Sequence, residues 1–408
     1  MSSFPKRPEL LSPAGDPEAL FSAVTFGADA VYLGAKSFGM RASPANFSFE
    51  QLKQASDFCH SQGVNLYLAC NIIPRHEDVE QLPDFFGCVK ECNVDAVIVS
   101  DIGVLTTAKK IIPDVDIHIS TQAGITNHLA ANAFYDLGAK RVVLARELSL
   151  EEIKILRDKT NPNLEIEAFV HGSMCVSFSG RCLLSQYLLN RDPNRGACSQ
   201  PCRWKYSLLE ERRPGQYFDI SEDTNGTYIL NSKDLCMISH IDKLVAAGID
   251  SLKIEGRAKS AYYSAVVTNV YRCAIDAFLR DPDNYKPEPY FLDELDKVSH
   301  RPYYPGFFFG PSDDAQEYPS AGYIRNWDIV ATVNGYSDGM LSLLEKNRFS
   351  VGDEVEILAP GLPPYNLTIQ RIITGDGDDI STANHPHMLV KIPCPCSFPV
   401  GSVVRVQN

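Results

Sequence analysis

Cysteines concentrate between residues 175 and 236 of this sequence. Cys175, Cys182, Cys198 and Cys202 lie in EAFVHGSMCVSFSGRCLLSQYLLNRDPNRGACSQPCRWKY, and Cys236 follows in NSKDLC. Four thiolates can hold either a zinc ion or a [4Fe–4S] cluster. Structural zinc sites usually use CxxC pairs, and this set contains none, so its scattered spacing favours a cluster held by loops. Zinc and ordinary core cysteines remain alternatives, although the Gly-rich and Arg-rich surroundings are unlike a packed core.

The same segment is basic, although the chain as a whole has a net charge of −13. Between Arg181 and Arg213 there are seven Lys or Arg residues and three acids; the basic residues are Arg181, Arg191, Arg195, Arg203, Lys205, Arg212 and Arg213. Such residues bind phosphates and carboxylates, and Trp204 and Tyr206 between them could stack on an unstacked base. The segment therefore predicts an RNA surface or a site for a small dianion, and a solvated basic loop is the alternative.

The elements that must position these residues are short β-rich runs with helix-like stretches between most of them. There are nine such runs: ELLSPAG, ADAVYLG, NLYLACN, DAVIVSD, DIHISTQ, RVVLARE, EIEAFVHG, TYILNSKD and SLKIEGR. In FGADAVYLG, LGAKRVVLARE and AGIDSLKIEGR a helix end, a Gly and an apolar strand follow one another, which is typical of a parallel sheet covered by helices. We predict an α/β fold, a (β/α)8-type barrel over residues 1–280, with one run outside it. An open doubly wound sheet is the alternative.

Polar residues follow most of these runs, and in such a barrel they would meet at one mouth. They are Asn71, Asp101, Thr121, Gln122, Arg146, Glu147, His171, Asn231, Lys233, Glu255 and Arg257. We predict that Arg146, Arg181, Arg257 and His171 line one pocket with the cluster at its edge, and that Glu255 belongs to the same catalytic set. An arginine pair there would hold a dicarboxylate in bidentate fashion.

The rest of the chain has a different character. Residues 281–327, rich in Pro and charge at their start, are interpreted as a linker region. From residue 328 onward, short alternating strands separated by Gly, Asp and Pro turns predict a small antiparallel β-barrel domain over 328–408. No signal peptide and no run of 18 apolar residues is recognisable, so we expect a cytoplasmic protein without a membrane span. In that reducing compartment, twelve cysteines point to metal or redox chemistry rather than disulfides.

The cysteine segment resembles a known family. The run from Glu167 to Ser185 fits E-x-F-x-x-G-S-M-C-x4-G-x-C-x-L-S, the signature of the collagenase-like peptidase family U32, over nineteen positions. ELLSPAGDPEAL, RDPNRGAC, CRWKY, NSKDLC and LKIEGRAKS are also similar to this family, so the resemblance covers the whole chain, including the C-terminal β domain.

The resemblance implies more than the residues alone do. It implies a [4Fe–4S] cluster held by Cys175, Cys182, Cys198 and Cys236, with Cys202 as a fifth candidate that could replace one of the last two. It also implies hydroxylation of RNA without molecular oxygen. The length and the single C-terminal domain look most like the branch that hydroxylates tRNA wobble uridine with prephenate as oxygen donor. The expected partners are therefore tRNA and a small dicarboxylate.

Two other functions remain open at this point. A peptidase needs an activated nucleophile or an activated water, yet the sequence contains neither GxSxG nor HExxH. His171 and Glu167 would share a strand face without a nucleophile, and four thiolates would leave a zinc ion no open position for water. A cluster-bearing scaffold for a partner enzyme is the third hypothesis, and it predicts a stable complex instead of turnover.

Overall fold

The computed structural model describes residues 6–39, 46–175, 177–178, 181–203, 221–223, 226–228, 232–310 and 323–408. The first part of the chain alternates strands and helices. Its strands are β1 (Glu9–Pro13), β2 (Ala30–Gly34), β3 (Asn65–Cys70), β4 (Ala96–Val99), β5 (Asp116–Ile119), β6 (Arg141–Val143), β7 (Glu165–Ser173), β8 (Ser221–Asp223), β9 (Gly226–Tyr228), β10 (Asp234–Cys236), β11 (Ser251–Ile254) and β12 (Tyr303–Tyr304).

Eight of these strands form a closed parallel barrel, which confirms the predicted fold class. Strands β1 to β7 lie side by side in chain order, and β11 closes the barrel by pairing in parallel with both β7 and β1. The run TYILNSKD is the one outside the barrel. Its last residue, Asp234, begins β10, which pairs antiparallel with the end of β7 and in parallel with β12.

Helices cover the barrel and connect its strands. They are α1 (Pro17–Thr25), α2 (Phe49–Ser61), α3 (His76–Val79), α4 (Leu82–Lys90), α5 (Ile102–Ile111), α6 (His128–Asp136), α7 (Leu150–Lys159), α8 (Leu184–Leu189), α9 (Ile241–Ala246), α10 (Ala261–Arg280) and α11 (Pro289–Leu295). No helix in the described part of the chain is long and apolar enough to cross a bilayer.

Local sequence fixes where several helices begin and end. Ser48 and Ser149 form capping boxes with the third helical residues Gln51 and Glu152, which satisfies backbone N–H groups that the helix leaves unpaired. The predicted helix–Gly–strand junctions are present too. Gly27, Gly138 and Gly248 all have positive φ, a backbone conformation in which residues with a Cβ are strained.

The interior of the barrel is partly charged. The guanidinium of Arg141 lies 2.6 Å from Glu9, 2.7 Å from Glu165 and 3.0 Å from Glu167. Glu167 also accepts a 2.7 Å hydrogen bond from the ammonium of Lys253, and neither side chain is more than 4% exposed. A charge taken out of water is stable only with a partner. These buried ion pairs share partners, so removing one side chain would leave others of the network unpaired.

The C-terminal domain is antiparallel, as predicted. Its strands are β13 (Trp327–Ser337), β14 (Met340–Glu345), β15 (Phe349–Ser350), β16 (Glu354–Leu358), β17 (Tyr365–Thr368), β18 (Ile372–Thr374), β19 (Asp379–Ile380), β20 (Thr382–Ala383), β21 (Leu389–Pro393) and β22 (Val403–Gln407). Eight of them form one sheet in the order β17-β16-β22-β13-β14-β21-β18-β19, while β15 and β20 pair separately. The domain has its own hydrophobic core.

The described part of the region interpreted as a linker contains regular structure. Within 281–327 the structure contains α11 and β12, and β12 extends the barrel sheet through β10. Arg405 of β22, fully buried, donates to Glu294 of α11 and to Glu356 of β16 at 2.7–2.9 Å. Because a buried charge must keep its partners, this contact fixes the C-terminal domain against α11.

Candidate active site at the barrel mouth

A cavity of about 190 Å³ opens at the carboxyl-terminal mouth of the barrel. Residues at the ends of β3, β5, β6, β7 and β11 contribute polar side chains to it, as expected for parallel strands whose carboxyl ends meet. The polar and thiol residues of its lining are Tyr32, Asn71, Ser120, Thr121, Gln122, Arg146, Glu147, Ser173, Cys175, Ser177, Cys198, Gln200, Cys202, Lys253, Glu255 and Arg257. Most of the predicted ring of strand-end residues is therefore present in one site.

Arg146 is half-buried in this lining and held in one orientation. Its Nη1 donates a 2.7 Å hydrogen bond to the carbonyl of Ser173, and its guanidinium carbon lies 3.9 Å from the centre of the Phe169 ring. A guanidinium stacked on an aromatic face is held in a fixed plane, and its planar fork matches the geometry of carboxylates and phosphates. Arg146 is thus arranged to bind a carboxylate or a phosphate.

Arg257 enters the cavity from the loop after β11. Its guanidinium lies against Gly34, at the end of β2, where an added Cβ would collide with Nη1. The carbonyl of the same residue approaches Gly15 so closely that a Cβ there would also collide. Two glycines therefore make room for this arginine, and Glu255, two residues earlier, lines the same cavity. The predicted Arg146, Arg257 and Glu255 are brought together.

The floor of the cavity holds Lys253, which the sequence analysis did not single out. Its Nζ is 4.4 Å from the centre of the Tyr32 ring as well as 2.7 Å from Glu167. Burial lowers the pKa of Lys253, while the neighbouring Glu167 opposes that shift. The signal in the sequence was the alternation in SLKIEGR: Leu252 and Ile254 are core residues, so Lys253 between them must face the barrel interior.

Three of the five candidate cysteines, Cys175, Cys198 and Cys202, line this cavity. Cys182 belongs to the same loop, where the side chain of Asn194 donates to its carbonyl. The Sγ atoms of Cys182 and Cys198 each accept a backbone N–H two residues ahead, from Leu184 and Gln200, at 3.4 Å. Backbone N–H groups directed at cysteine sulfurs are also found around iron–sulfur clusters.

Cys236 and His171 lie elsewhere, in a buried aromatic layer between the barrel wall and α10. The His171 ring is 5.3–6.0 Å from the rings of Tyr263, Tyr271 and Tyr303, and Cys236 lies beside the Tyr271 hydroxyl. Burial lowers the pKa of His171 to about 3 and raises the pKa of the Cys236 thiol to about 12. Neither side chain lines the cavity, where His171 was expected, and the ligand role implied for Cys236 stays a prediction.

A change in strand register explains the position of His171. In the pairing of β7 with β11, Lys253 is opposite Phe169, but the next residue, Ile254, is opposite His171. The extra residue in β7 is a bulge, which reverses the side-chain alternation. His171 therefore points outward with Ile254, whereas Glu167 and Phe169 point into the barrel.

Arg181 lies at the rim of the mouth instead of in the lining. Its side chain is exposed and its Nη2 is 3.4 Å from the carbonyl of Ala123. Several other candidates, namely Trp204, Lys205, Tyr206, Arg212, Arg213 and Asn231, lie outside the described residues, as does the side chain of Arg203. The predicted stacking on Trp204 therefore stays a prediction.

The donor set suits an iron–sulfur cluster in its chemistry. Cys175, Cys182, Cys198 and Cys202 are four soft thiols on one loop, and two of them already accept N–H groups of the kind that stabilise cluster sulfurs. As the described side chains are placed, no three His, Cys, Asp or Glu stand close enough together to hold a metal ion. A cluster would thus require the loop to draw these thiols together.

Comparison with known proteins agrees with the signature run. The sequence pattern of Peptidase family U32 matches residues 15–317, and that of the Peptidase family U32 C-terminal domain matches residues 325–405. The chain is 38% identical over 389 residues to tRNA hydroxylation protein P1 of Bacillus subtilis, with 95% of this chain and 92% of the relative covered.

Two further relatives carry different names. The chain is 41% identical over 424 residues to tRNA hydroxylation protein P of Helicobacter pylori, with 98% of each chain covered. It is 32% identical over 367 residues to a protein named Collagenase from Porphyromonas gingivalis, with 86% of each covered. With the family pattern spanning most of the sequence and relatives aligned over nearly all of it, the chain belongs to Peptidase family U32.

Proposed function

We propose that this chain is an iron–sulfur RNA hydroxylase that acts on tRNA at the wobble uridine, with prephenate as the oxygen donor. The observation that carries the proposal is the meeting of three thiols and two arginines, Arg146 and Arg257, on one cavity. Relatives named as tRNA hydroxylation proteins, which align over 95–98% of the chain, support the choice of RNA. The donor and the base are what the resemblance to this branch of the family implies.

The cluster would be held by Cys175, Cys182, Cys198 and Cys202. When bound, a [4Fe–4S] cluster supplies a one-electron redox centre at the edge of the cavity. Cys202 takes the place that was first assigned to Cys236, because Cys202 lines the cavity and Cys236 lies in the aromatic layer. Iron analysis of variants that each lack one of these cysteines tests this ligand set.

The remaining residues of the cavity would bind and orient the small substrate. Arg146, stacked on Phe169, and Arg257, seated against Gly34, present two guanidinium forks to a dicarboxylate. Lys253 adds positive charge beneath them, though Glu167 neutralises much of it. Glu147 and Glu255 keep the lining from being uniformly positive, so a dianion would be held at the two forks and not anywhere in the site.

Mass spectrometry of tRNA nucleosides tests the proposed function. A strain without this gene should lack the hydroxylated wobble uridine, and the wild-type gene should restore it. A gene carrying Cys175→Ala should not, while expressing the protein to the same level. Unchanged hydroxyuridine in the deletion strain would refute the function.

A peptidase is the second candidate, because one relative is named Collagenase. Serine and cysteine side chains line the cavity, but among the described lining residues there is no histidine to act as their base. The nearest candidate in sequence, His171, is turned into the aromatic layer. Cleavage of gelatin by the purified chain, abolished by Ser177→Ala or Cys175→Ala, would establish the peptidase instead.

A further inference from the structure

The loop that carries the cavity cysteines also exposes an apolar ridge, made of Leu183 and the outer face of α8: Tyr187, Leu188 and Leu189. Tyr187 is 79% exposed, and the three leucines are 37–50% exposed. Water-exposed apolar side chains are normal when they occur singly, but consecutive ones beside a functional cavity mark a surface that meets something else.

The ridge is held rigidly despite its short length. The backbone N–H of Tyr187 donates to the carbonyl of Leu183, and the side chain of Gln186 donates to Asn190, which ends the helix with a positive φ. On the inner side, Ser185 is fully buried and accepts a hydrogen bond from the backbone of Ser199. Because Ser199 follows Cys198, the ridge and the cavity lining are two faces of one packed loop.

The sequence segment that carries the ridge is basic. In residues 181–203 four arginines, Arg181, Arg191, Arg195 and Arg203, stand against one acid, Asp192, which gives 4 − 1 = +3 in a chain of −13. Arg181 and Arg191, on either side of the ridge, are exposed. Arg195 does not add to this positive surface, since it pairs with both Asp78 and Glu77 of α3. A partner of this surface should therefore be an anion that also offers flat apolar faces.

We propose that this ridge binds unstacked bases of the RNA loop that flank the base being modified, with the ring of Tyr187 as a stacking platform. The inference rests on the proposed function and names the surface that holds its substrate. Single-stranded RNA combines phosphates with exposed base faces, and one aromatic ring suffices to stack one base. A protein partner fits less well, because a six-residue helix supplies a small part of the roughly 800 Å² that a stable interface needs from each side.

The test measures binding of a fluorescein-labelled anticodon stem–loop RNA by anisotropy at several salt concentrations. Tyr187→Ala should weaken binding roughly tenfold, as expected for loss of one stacked base, and Tyr187→Trp should restore it. The salt dependence of Tyr187→Ala should equal that of the wild type because no phosphate contact is removed, whereas Arg191→Gln should reduce the slope by about one. Ile155→Ala, an exposed apolar residue on α7, is the matched control and should bind normally.

Failure of the ridge proposal and failure of the proposed function give different results. Suppose that the wild-type protein hydroxylates tRNA and that the Tyr187→Ala and Leu188→Ala variants bind and react equally well. That result would refute the role of the ridge and leave the proposed function standing. Wild-type protein that binds no RNA would overturn the function, and the ridge with it. Sedimentation that shows a wild-type dimer converted to a monomer by Tyr187→Ala would assign the ridge to contact between copies of the chain and refute the RNA role.

Discussion

Cys175 follows β7 and Cys236 ends β10, and these two strands are hydrogen-bonded neighbours. The structure nevertheless gives the two cysteines opposite surroundings. Cys175 is exposed at a cavity that also contains two other thiols and two arginines. Cys236 is buried beside Tyr271, and burial raises its pKa to about 12. The same residue type, at the carboxyl ends of two neighbouring antiparallel strands, is exposed to a cavity in one place and is a buried packing group in the other.

The largest expected difference between the two regions is in iron content. Cys175→Ala and Cys202→Ala should abolish most of the iron in anaerobically purified protein, which should otherwise contain about four atoms per chain. Cys236→Ala should keep the iron and lose roughly 1–3 kcal/mol of the free energy of unfolding, as for a buried core residue. Cys59→Ala, at a second buried thiol, is the control and should behave like Cys236→Ala. Loss of iron from a folded Cys236→Ala protein would break the comparison.

The second difference concerns arginines inside and outside the cavity. Arg146→Lys and Arg257→Lys should lower kcat/KM for the dicarboxylate roughly 10- to 100-fold, since an ammonium cannot reproduce a bidentate fork. Arg181→Lys, at the rim, should change kcat/KM for the dicarboxylate by less than about threefold because a rim charge acts mainly at long range. Initial rates at varied dicarboxylate concentration give both values. Equal losses in all three variants would place Arg181 in the same pocket after all.

The third prediction concerns the aromatic layer and the pH dependence of the free energy of unfolding. Burial lowers the pKa of His171 in the folded chain to about 3, against an ordinary value near 6.5. As the pH falls below 6.5, the unfolded chain therefore takes up a proton that the folded chain does not. The contribution of neutral His171 to the free energy of unfolding is fully present above pH 6.5 and is lost progressively toward pH 3. At about pH 5 the loss should be roughly 2 kcal/mol.

Urea unfolding near pH 7.5 and near pH 5 checks this prediction against His171→Phe. The variant keeps a ring in the layer and lacks the titrating group, so its stability should fall less over this interval. His118, which is also buried and also has a lowered pKa, is present in both proteins and cancels from the difference. Equal pH dependence of the two proteins would show that His171 can take up a proton within the fold.

The smallest expected effect concerns the support of Arg146. Phe169→Leu removes the ring 3.9 Å from its guanidinium but keeps an apolar side chain of similar bulk. The loss of the cation–π contact should cost about 0.5–1 kcal/mol and raise KM for the dicarboxylate two- to fivefold, roughly, with iron content unchanged. Phe86→Leu, in the core between helices, should leave KM unaltered.

Much of the fold followed from local patterns. The apolar strands, the glycine that ends a helix before each of three strands, and the antiparallel pattern after residue 328 predicted both domains. Residues that follow parallel strands were expected to meet at one mouth of the barrel, and Arg146, Glu255 and Arg257 do so. The elements within 281–327 were not predicted, because α11 and β12 are short, and short elements are stabilised by their contacts with the barrel more than by their own sequence.

The sequence by itself determined which chemistry is available: the thiols on one loop, the arginines after β6 and β11, and the family to which the chain belongs. Only the tertiary structure decided which of these groups share a cavity. One bulge in β7 turns His171 away from Glu167 and Phe169, and the packing of α10 buries Cys236 next to Tyr271. The physical reason is that side-chain direction depends on strand register and reactivity depends on burial, and both are set by contacts between residues far apart in the chain.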